Sequence, residues 1–407
     1  MKKNRTSEAG IFNLRVFVAL TFFLIGSGLV MLTFAGTPRS AKLAPKSGKI
    51  SPPQQGGSFD APPPTPSGPG IPRYYSYSPG PGFGEAAGEP SIGFNPSSGK
   101  VMYIASLQTL QATLPEDITP KGSVPDACDA AWQDVSFTTT RVRSADSILF
   151  TDQGTGRTFV SQLNTVTQTS PVLIGLNSLM AYTDDDGANW TPAQINPPDG
   201  SNDHETVGAG PYPAALSALA NSVNKGHAVY YCGQQNVGGE AFCSRSDDGG
   251  LNFGKSILVS ADAVNNCGAG IHGHVKVAPD GTVYLPNGLC SNGAAVFVST
   301  NAGATWTEHT IPGSRPMAPA IAPATFDISD PSVGIASDGT VYFAWTGLVP
   351  NGNSTDNHIW VAVSHDQGAT WTTPFDLGAA IGINNAVFAS AVAGDPNRAA
   401  VAFIGTT

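Results

Sequence analysis

The sequence predicts an all-β protein, a β-propeller of six blades with four antiparallel strands each and the last blade incomplete. Three observations predict it. An eight-residue phrase with turn chemistry occurs four times, and a second pattern of turn followed by apolar strand recurs about every sixty residues. No long stretch of the repeat region carries the 3.6-residue apolar period of an amphipathic helix. The composition agrees, with 47 Gly and 33 Pro in 407 residues and only 12% charged residues, as in turn-rich β-proteins.

The phrase reads Thr183-Asp-Asp-Asp-Gly-Ala-Asn-Trp190, Ser246-Asp-Asp-Gly-Gly-Leu-Asn-Phe253, Ser299-Thr-Asn-Ala-Gly-Ala-Thr-Trp306 and Ser364-His-Asp-Gln-Gly-Ala-Thr-Trp371. Its template is Ser/Thr-x-Asp-x-Gly-x-Thr-Trp. A short Asp or Asn side chain (Asp185, Asp248, Asn301, Asp366) accepts hydrogen bonds from turn amides. The glycines Gly187, Gly250, Gly303 and Gly368 tolerate positive φ, and the aromatics Trp190, Phe253, Trp306 and Trp371 pin the turn to the next strand. Each octet is therefore expected at a hairpin tip, with a structural role.

The second pattern places a polar or Gly turn before an apolar strand. The residues that follow those turns are Lys100, Arg157, His227, Thr282, Thr340 and, more loosely, Arg398. Two turn signatures in each period of about sixty residues suit a four-stranded blade.

The ends are different in kind. Residues 1–15 carry Lys2, Lys3, Arg5 and Arg15 ahead of an uncharged apolar run from Val16 to about Ala35. That is an export segment, either a cleaved leader or an N-terminal membrane anchor, and both readings place the protein outside the cytoplasm, secreted or at the cell surface. Residues 36–87 are crowded with Pro, Gly and Ser and read as a disordered tether that cannot bury enough apolar surface to order itself. The propeller is expected over 88–407. The chain stops at Thr407, partway through the sixth repeat, and a truncated reading frame is the expectation.

Five cysteines in an exported chain point to disulfides. Cys232 and Cys243 bracket one hairpin, Cys267 and Cys290 a second, and these are the expected pairs; Cys128 is left over. The net charge of −10 argues against nucleic acid as a partner. No phosphate loop, paired CxxC or HExxH is present, and no cofactor is expected.

In a propeller the first strand of each blade lines the central channel, and ligands use the channel mouth. The segments ahead of those strands carry Glu89, Asp146, Asp203, His204, Glu205, His272, His274, Asp330, Asn384 and Asn385. This polar set has three readings. Clustered carboxylates could supply the acid and base of glycoside hydrolysis. Carboxylates with His could hold a divalent cation, calcium ahead of zinc. Or the side chains simply bond loop amides. Tyr212, seven residues after Glu205, is the Tyr nominated beside a carboxylate, and Trp345 is the candidate for stacking on a sugar.

On its four octets, from roughly residue 88 onward, the chain resembles the bacterial BNR/Asp-box repeat proteins of the sialidase-like β-propeller group. The resemblance implies octets on outer hairpins, away from the channel mouth. A catalytic sialidase also needs three arginines on the substrate carboxylate, an acid/base Asp and a Tyr–Glu nucleophile pair. This chain departs from that pattern: the early Arg-Ile-Pro signature is absent, and none of Arg141, Arg143, Arg157, Arg245, Arg315 and Arg398 lies within a channel-mouth segment. Two functions stand side by side. One is an exo-glycosidase acting on extracellular glycans, using Glu205 or Asp203 with Asp330 or Glu89, oriented by His204 or His272. The other is a non-catalytic surface module that binds carbohydrate or protein. The partner in either case is an extracellular glycan or glycoprotein.

Overall fold

A computed structural model describes residues 77, 79–84, 90–115, 130–142, 147–166, 174–194, 203–234, 240–259, 272–290, 293–314, 331–351 and 354–406. All belong to one compact unit spanning 47–319 and 326–407. The segment expected to direct export, most of the expected tether, Cys128 and Cys267 lie outside the described residues, as do Glu89, Asp146 and Asp330. Among the described residues no helix is long and apolar enough to cross a membrane.

The fold is an all-β propeller, with six successive antiparallel sheets among the described residues. The first holds β1 (Ser91–Asn95), β2 (Lys100–Ala105), β3 (Gln108–Thr113) and β4 (Ala131–Asp134). The second holds β5 (Ser147–Thr151), β6 (Thr158–Val166), β7 (Ile174–Thr183) and β8 (Thr191–Ala193). The third holds β9 (Asp203–Pro211), β10 (His227–Gln234), β11 (Ala241–Ser246) and β12 (Ile257–Leu258). The fourth holds β13 (Lys276–Val277), β14 (Val283–Cys290), β15 (Gly293–Ser299) and β16 (Thr307–Thr310). The fifth holds β17 (Ser332–Ile335), β18 (Val341–Asn351), β19 (Ser354–Ser364) and β20 (Phe375–Asp376), and the sixth β21 (Asn385–Ala393) and β22 (Ala399–Thr406). Each sheet is a meander in sequence order, and the recurring turn pattern falls between its first and second strands.

The first strands of successive sheets touch in series, β1 with β5, β5 with β9, β9 with β13, β13 with β17 and β17 with β21. Glycines permit that approach. A Cβ at Gly208 of β9 would lie 2.7 Å from the Val275 carbonyl oxygen, and one at Gly334 of β17 would lie 2.8 Å from the Val392 backbone. Between each pair of neighbours sits an apolar core, such as Ile148, Phe159, Val207, Tyr231 and Phe242 between sheets 2 and 3. Complete burial of one such side chain contributes about 1.5–3 kcal/mol.

All four octets occupy the hairpin between the third and fourth strand of their sheets, and their bonds repeat. The Ser or Thr hydroxyl donates to the Asp or Asn side chain (Thr183 to Asp185, 2.8 Å; Ser299 to Asn301, 2.9 Å) and accepts from the glycine amide (Gly187, 2.9 Å; Gly250, 2.8 Å). The same Asp carboxylate or Asn301 amide oxygen accepts the backbone N–H of the Asn or Thr four residues on. The four glycines have φ between 79° and 95°. Each tip also grips the preceding sheet. Gln111 and Arg157 donate to the carbonyls of Asp186 (2.7 Å) and Gly249 (2.6 Å), and Arg245 donates to that of Ala302 (2.9 Å).

Cys232 and Cys243 face each other across β10 and β11 and are bridged. Cys290 is disulfide-bonded too. Residues 82–84, which composition assigns to the tether, rest on the first sheet, where the Gly84 amide donates to the Gln108 side chain at 2.8 Å.

Candidate functional site

The polar residues ahead of the inner strands gather on β9 and on the approach to β13. The pairing of β9 with β10 slips at Gly233: Thr206 faces Cys232, Asp203 faces Gln234, and His204 and Glu205 share the gap. The extra residue forms a bulge, and His204 takes a left-handed φ of 49°, uncommon for a residue with a side chain. Such strain gathers at functional sites.

His272 forms an isolated bridge with Asn287 of β14, and the Gly273 amide donates to the Pro286 carbonyl at 2.9 Å. A Cβ at Gly273 would lie 1.7 Å from the Pro331 carbonyl oxygen, so only glycine lets this segment run so close to sheet 5. The segment brings His272 edge-on to His204, with ring centroids 5.3 Å apart, and lays His274 nearly parallel to it at 6.2 Å. Thr206 joins the strands: its hydroxyl is 3.2 Å from His274 Nδ1 and accepts the Val275 amide at 3.2 Å. Glu205 Oε1 accepts from Ser161 of β6 at 3.3 Å, and the neighbouring Gln162 donates to the Ser106 carbonyl at 2.5 Å. A polar band thus runs from sheet 1 to sheet 4.

Burial sets the electrostatics. Glu205, Thr206 and His272 are fully buried, and His204 and His274 half-buried. Burial pushes His272 down to about 3, helped by the charge of His204 and opposed by the carbonyls of Gly273 and Gly233. Burial also pushes His274 down to about 3, helped by Lys276 and by the other two histidines. Both rings are neutral at pH 7 and serve as hydrogen-bond donors and acceptors, not as cations. Lys276 is itself lowered by burial, and its Nζ lies 5.8 Å from the Phe150 ring centroid in sheet 2.

The other nominated residues stand elsewhere. Tyr212 does not meet Glu205: β9 runs between them, and its hydroxyl donates to Asp247 Oδ1 at 2.9 Å and accepts from Asn224 at 3.1 Å. Sequence proximity misled because a strand carries residues seven apart to positions more than 20 Å apart, at roughly 3.3 Å per residue. Trp345 is 2% exposed and stacked on Trp360 within the core, closed to any sugar. Asn384 and Asn385 are exposed at the start of β21, where Asn385 accepts the Asn357 amide at 3.3 Å. Glu89, Asp146, Asp330 and the side chain of Asp203 lie outside the described residues. Among the described residues no group of three or more His, Cys, Asp or Glu side chains is placed to hold a metal ion.

Sequence reasoning missed Lys276, Thr206 and Ser161. For Lys276 a signal existed: two residues after His274, it shares that residue's face of an extended chain. For Thr206 and Ser161 none did, because their role follows from contacts between sheets.

Neither a known protein-family model nor a curated protein matches the chain. Solved structures do. A protein of unknown function from Dyadobacter fermentans is 12% identical with a TM-score of 0.47, over 78% of this chain and 90% of that one. The fucose-specific lectin of Aleuria aurantia is 13% identical with a TM-score of 0.42, over 78% and 88%. The Hadza microbial sialidase Hz136 is 15% identical with a TM-score of 0.37, over 67% and 53%. At such values the sheets themselves, not these neighbours, carry the description of the fold.

Proposed function

We propose that the chain is an exported, sialidase-like propeller of the Asp-box type that recognises extracellular glycans at the start of β9 and β13, as a binding module. The observation that carries this reading is the gathering of His204, His272 and His274 around the His204 bulge, with two rings held neutral. Neutral imidazoles, the Thr206 hydroxyl and the Lys276 ammonium match sugar hydroxyls, which both donate and accept. The Cys232–Cys243 bridge suits an oxidising compartment. Whether the apolar segment 16–35 is cleaved or anchors the protein is read from fractionation of expressing cells and the mass of the product.

A second reading keeps the exo-glycosidase, favoured by the full burial of Glu205 beside the strained His204. Asp203, Asp330 or Glu89 would then supply the second carboxylate. A glycan array and a fluorogenic glycoside panel that includes a sialoside separate the two, each run with and without chelator. Binding without turnover, lost in His274→Ala and retained in Glu205→Gln, supports the binding module. Turnover abolished by Glu205→Gln supports the hydrolase, and loss on chelation adds a divalent cation. Silence in both assays from a folded protein removes both.

A further inference from the structure

A cleft of about 240 Å³ opens between sheets 3 and 4, on their outer strands. Tyr230, Arg245, Asp247 and Lys255 line it from sheet 3, and the octet tip at Ala302, Gly303 and Ala304 lines it from sheet 4. Tyr230 has no exposed surface, yet its hydroxyl has no hydrogen-bond partner. Leaving such a group unsatisfied is unfavourable, which marks a place for a ligand atom.

Arg245 is preorganised. Nη1 donates to the Ala302 carbonyl at 2.9 Å, Nη2 donates to Asp247 Oδ2 at 3.0 Å, and Nε lies 2.9 Å from Asp247 Oδ1. Asp247 is held in turn by the Tyr212 hydroxyl. Nε, although close to Asp247, makes no hydrogen bond, and each terminal nitrogen keeps a second N–H beyond the one it has committed. Lys255 adds an exposed ammonium, so two cations face one carboxylate.

The seam between sheets 2 and 3 shows what this junction looks like when filled. Arg157 makes the same grip on the octet carbonyl, of Gly249, and pairs with Asp184, but it is 7% exposed and lies 4.1 Å over the Tyr182 ring. The aromatic beneath Gly250, the octet glycine of that seam, is Phe159, which has no hydroxyl, where the open seam has Tyr230 beneath Gly303. One junction is closed, with its Arg157 and Lys225 both paired to Asp184, the other open and equipped with a phenol, a guanidinium with spare donors and an exposed lysine.

We propose that this cleft is a second binding site, for a single sugar ring bearing a carboxylate, a hexuronate. Arg245 and Lys255 take the carboxylate, while Tyr230 and Asp247 take ring hydroxyls. The volume lies just below the range of pockets for drug-sized ligands, which fits one ring and not an oligosaccharide.

The test is calorimetric titration of the full chain with sodium glucuronate, against glucose and sodium acetate as probes. Glucuronate is expected to bind about tenfold tighter than either, a difference of about 1.4 kcal/mol. Tyr230→Phe and Lys255→Ala should each weaken it about fivefold, and His274→Ala should leave it unchanged. Tyr230→Phe copies the aromatic of the closed seam and is chosen to keep the fold, with its Tm as the check. The proposal is overturned if glucuronate binds no better than acetate, if the two cleft variants bind as the parent does, or if His274→Ala abolishes binding.

Discussion

The octet hairpins and the histidine cluster treat their polar groups in opposite ways. In each hairpin a hydroxyl, a carboxylate or amide, a glycine amide and an Asn or Thr close a circuit within eight residues, on the exposed side of the sheet. The bonds hold the octet carboxylates below their ordinary range: the Asn189 side chain lowers Asp185, and the Thr370 hydroxyl lowers Asp366 to about 2. In the cluster the groups come from three sheets, and burial drives the titration of His272 and His274. A motif that satisfies itself can be copied from blade to blade; a cluster satisfied across sheets arises once and can be specialised.

The largest effect is expected from breaking the close approach that builds the cluster. Gly273→Ala puts a methyl group into the Pro331 carbonyl and should destabilise by about 3 kcal/mol or more, seen as a shift of the denaturant midpoint. Gly339→Ala serves as the control, since that turn has positive φ but nothing within 4 Å of a Cβ, and about 1 kcal/mol is expected. Equal losses would mean that the approach to sheet 5 is not tight.

Acid should separate the two regions next. His272 and His274 have folded values near 3 against 6.5 when free, so the unfolded chain takes up their protons first. Their stabilisation is complete above pH 6.5 and is lost as pH falls from there toward 3. A progressive loss of stability between pH 7 and 4 is expected in urea titrations, and His274→Gln should reduce its slope. Asp184, lowered to about 2 chiefly by its bond with Arg157, gives way only below pH 4. A chain whose stability is flat from pH 7 to 4 would contradict the neutral burial of both histidines.

The smallest effect is expected in a single hairpin. Asp185→Ala removes the acceptor for Asn189 and the partner of Thr183, and should cost about 1 kcal/mol, as loss of a local cap does. The change in thermal midpoint should be the same in the presence of any glycan that the cluster binds, because the hairpin lies on the outer strands. A shift in glycan affinity as large as that of His274→Ala would couple the two regions.

The legibility of these features follows the same division. The four octets, the six turn-and-strand repeats and the Cys232–Cys243 pair could be read because each is closed by residues near one another in the chain, where local chemistry leaves few alternatives. The histidines could be nominated by register, but not the bulge at Gly233 that turns His204 into them. Tyr212 and Trp345 were misplaced for a common reason: strand direction and the packing of neighbouring sheets, not distance along the chain, decide which side chains share a space.

Blade architecture, turn positions and one disulfide were thus written in local pattern. The neutral rings of His272 and His274, the burial of Lys276 against Phe150, and the contrast between a closed and an open seam were set by contacts between sheets. Burial acts through everything that surrounds a group, and the neighbours of His272 or Tyr230 come from strands tens of residues away. Hydrogen-bonding turns are short-range, whereas desolvation and packing are properties of the assembled fold.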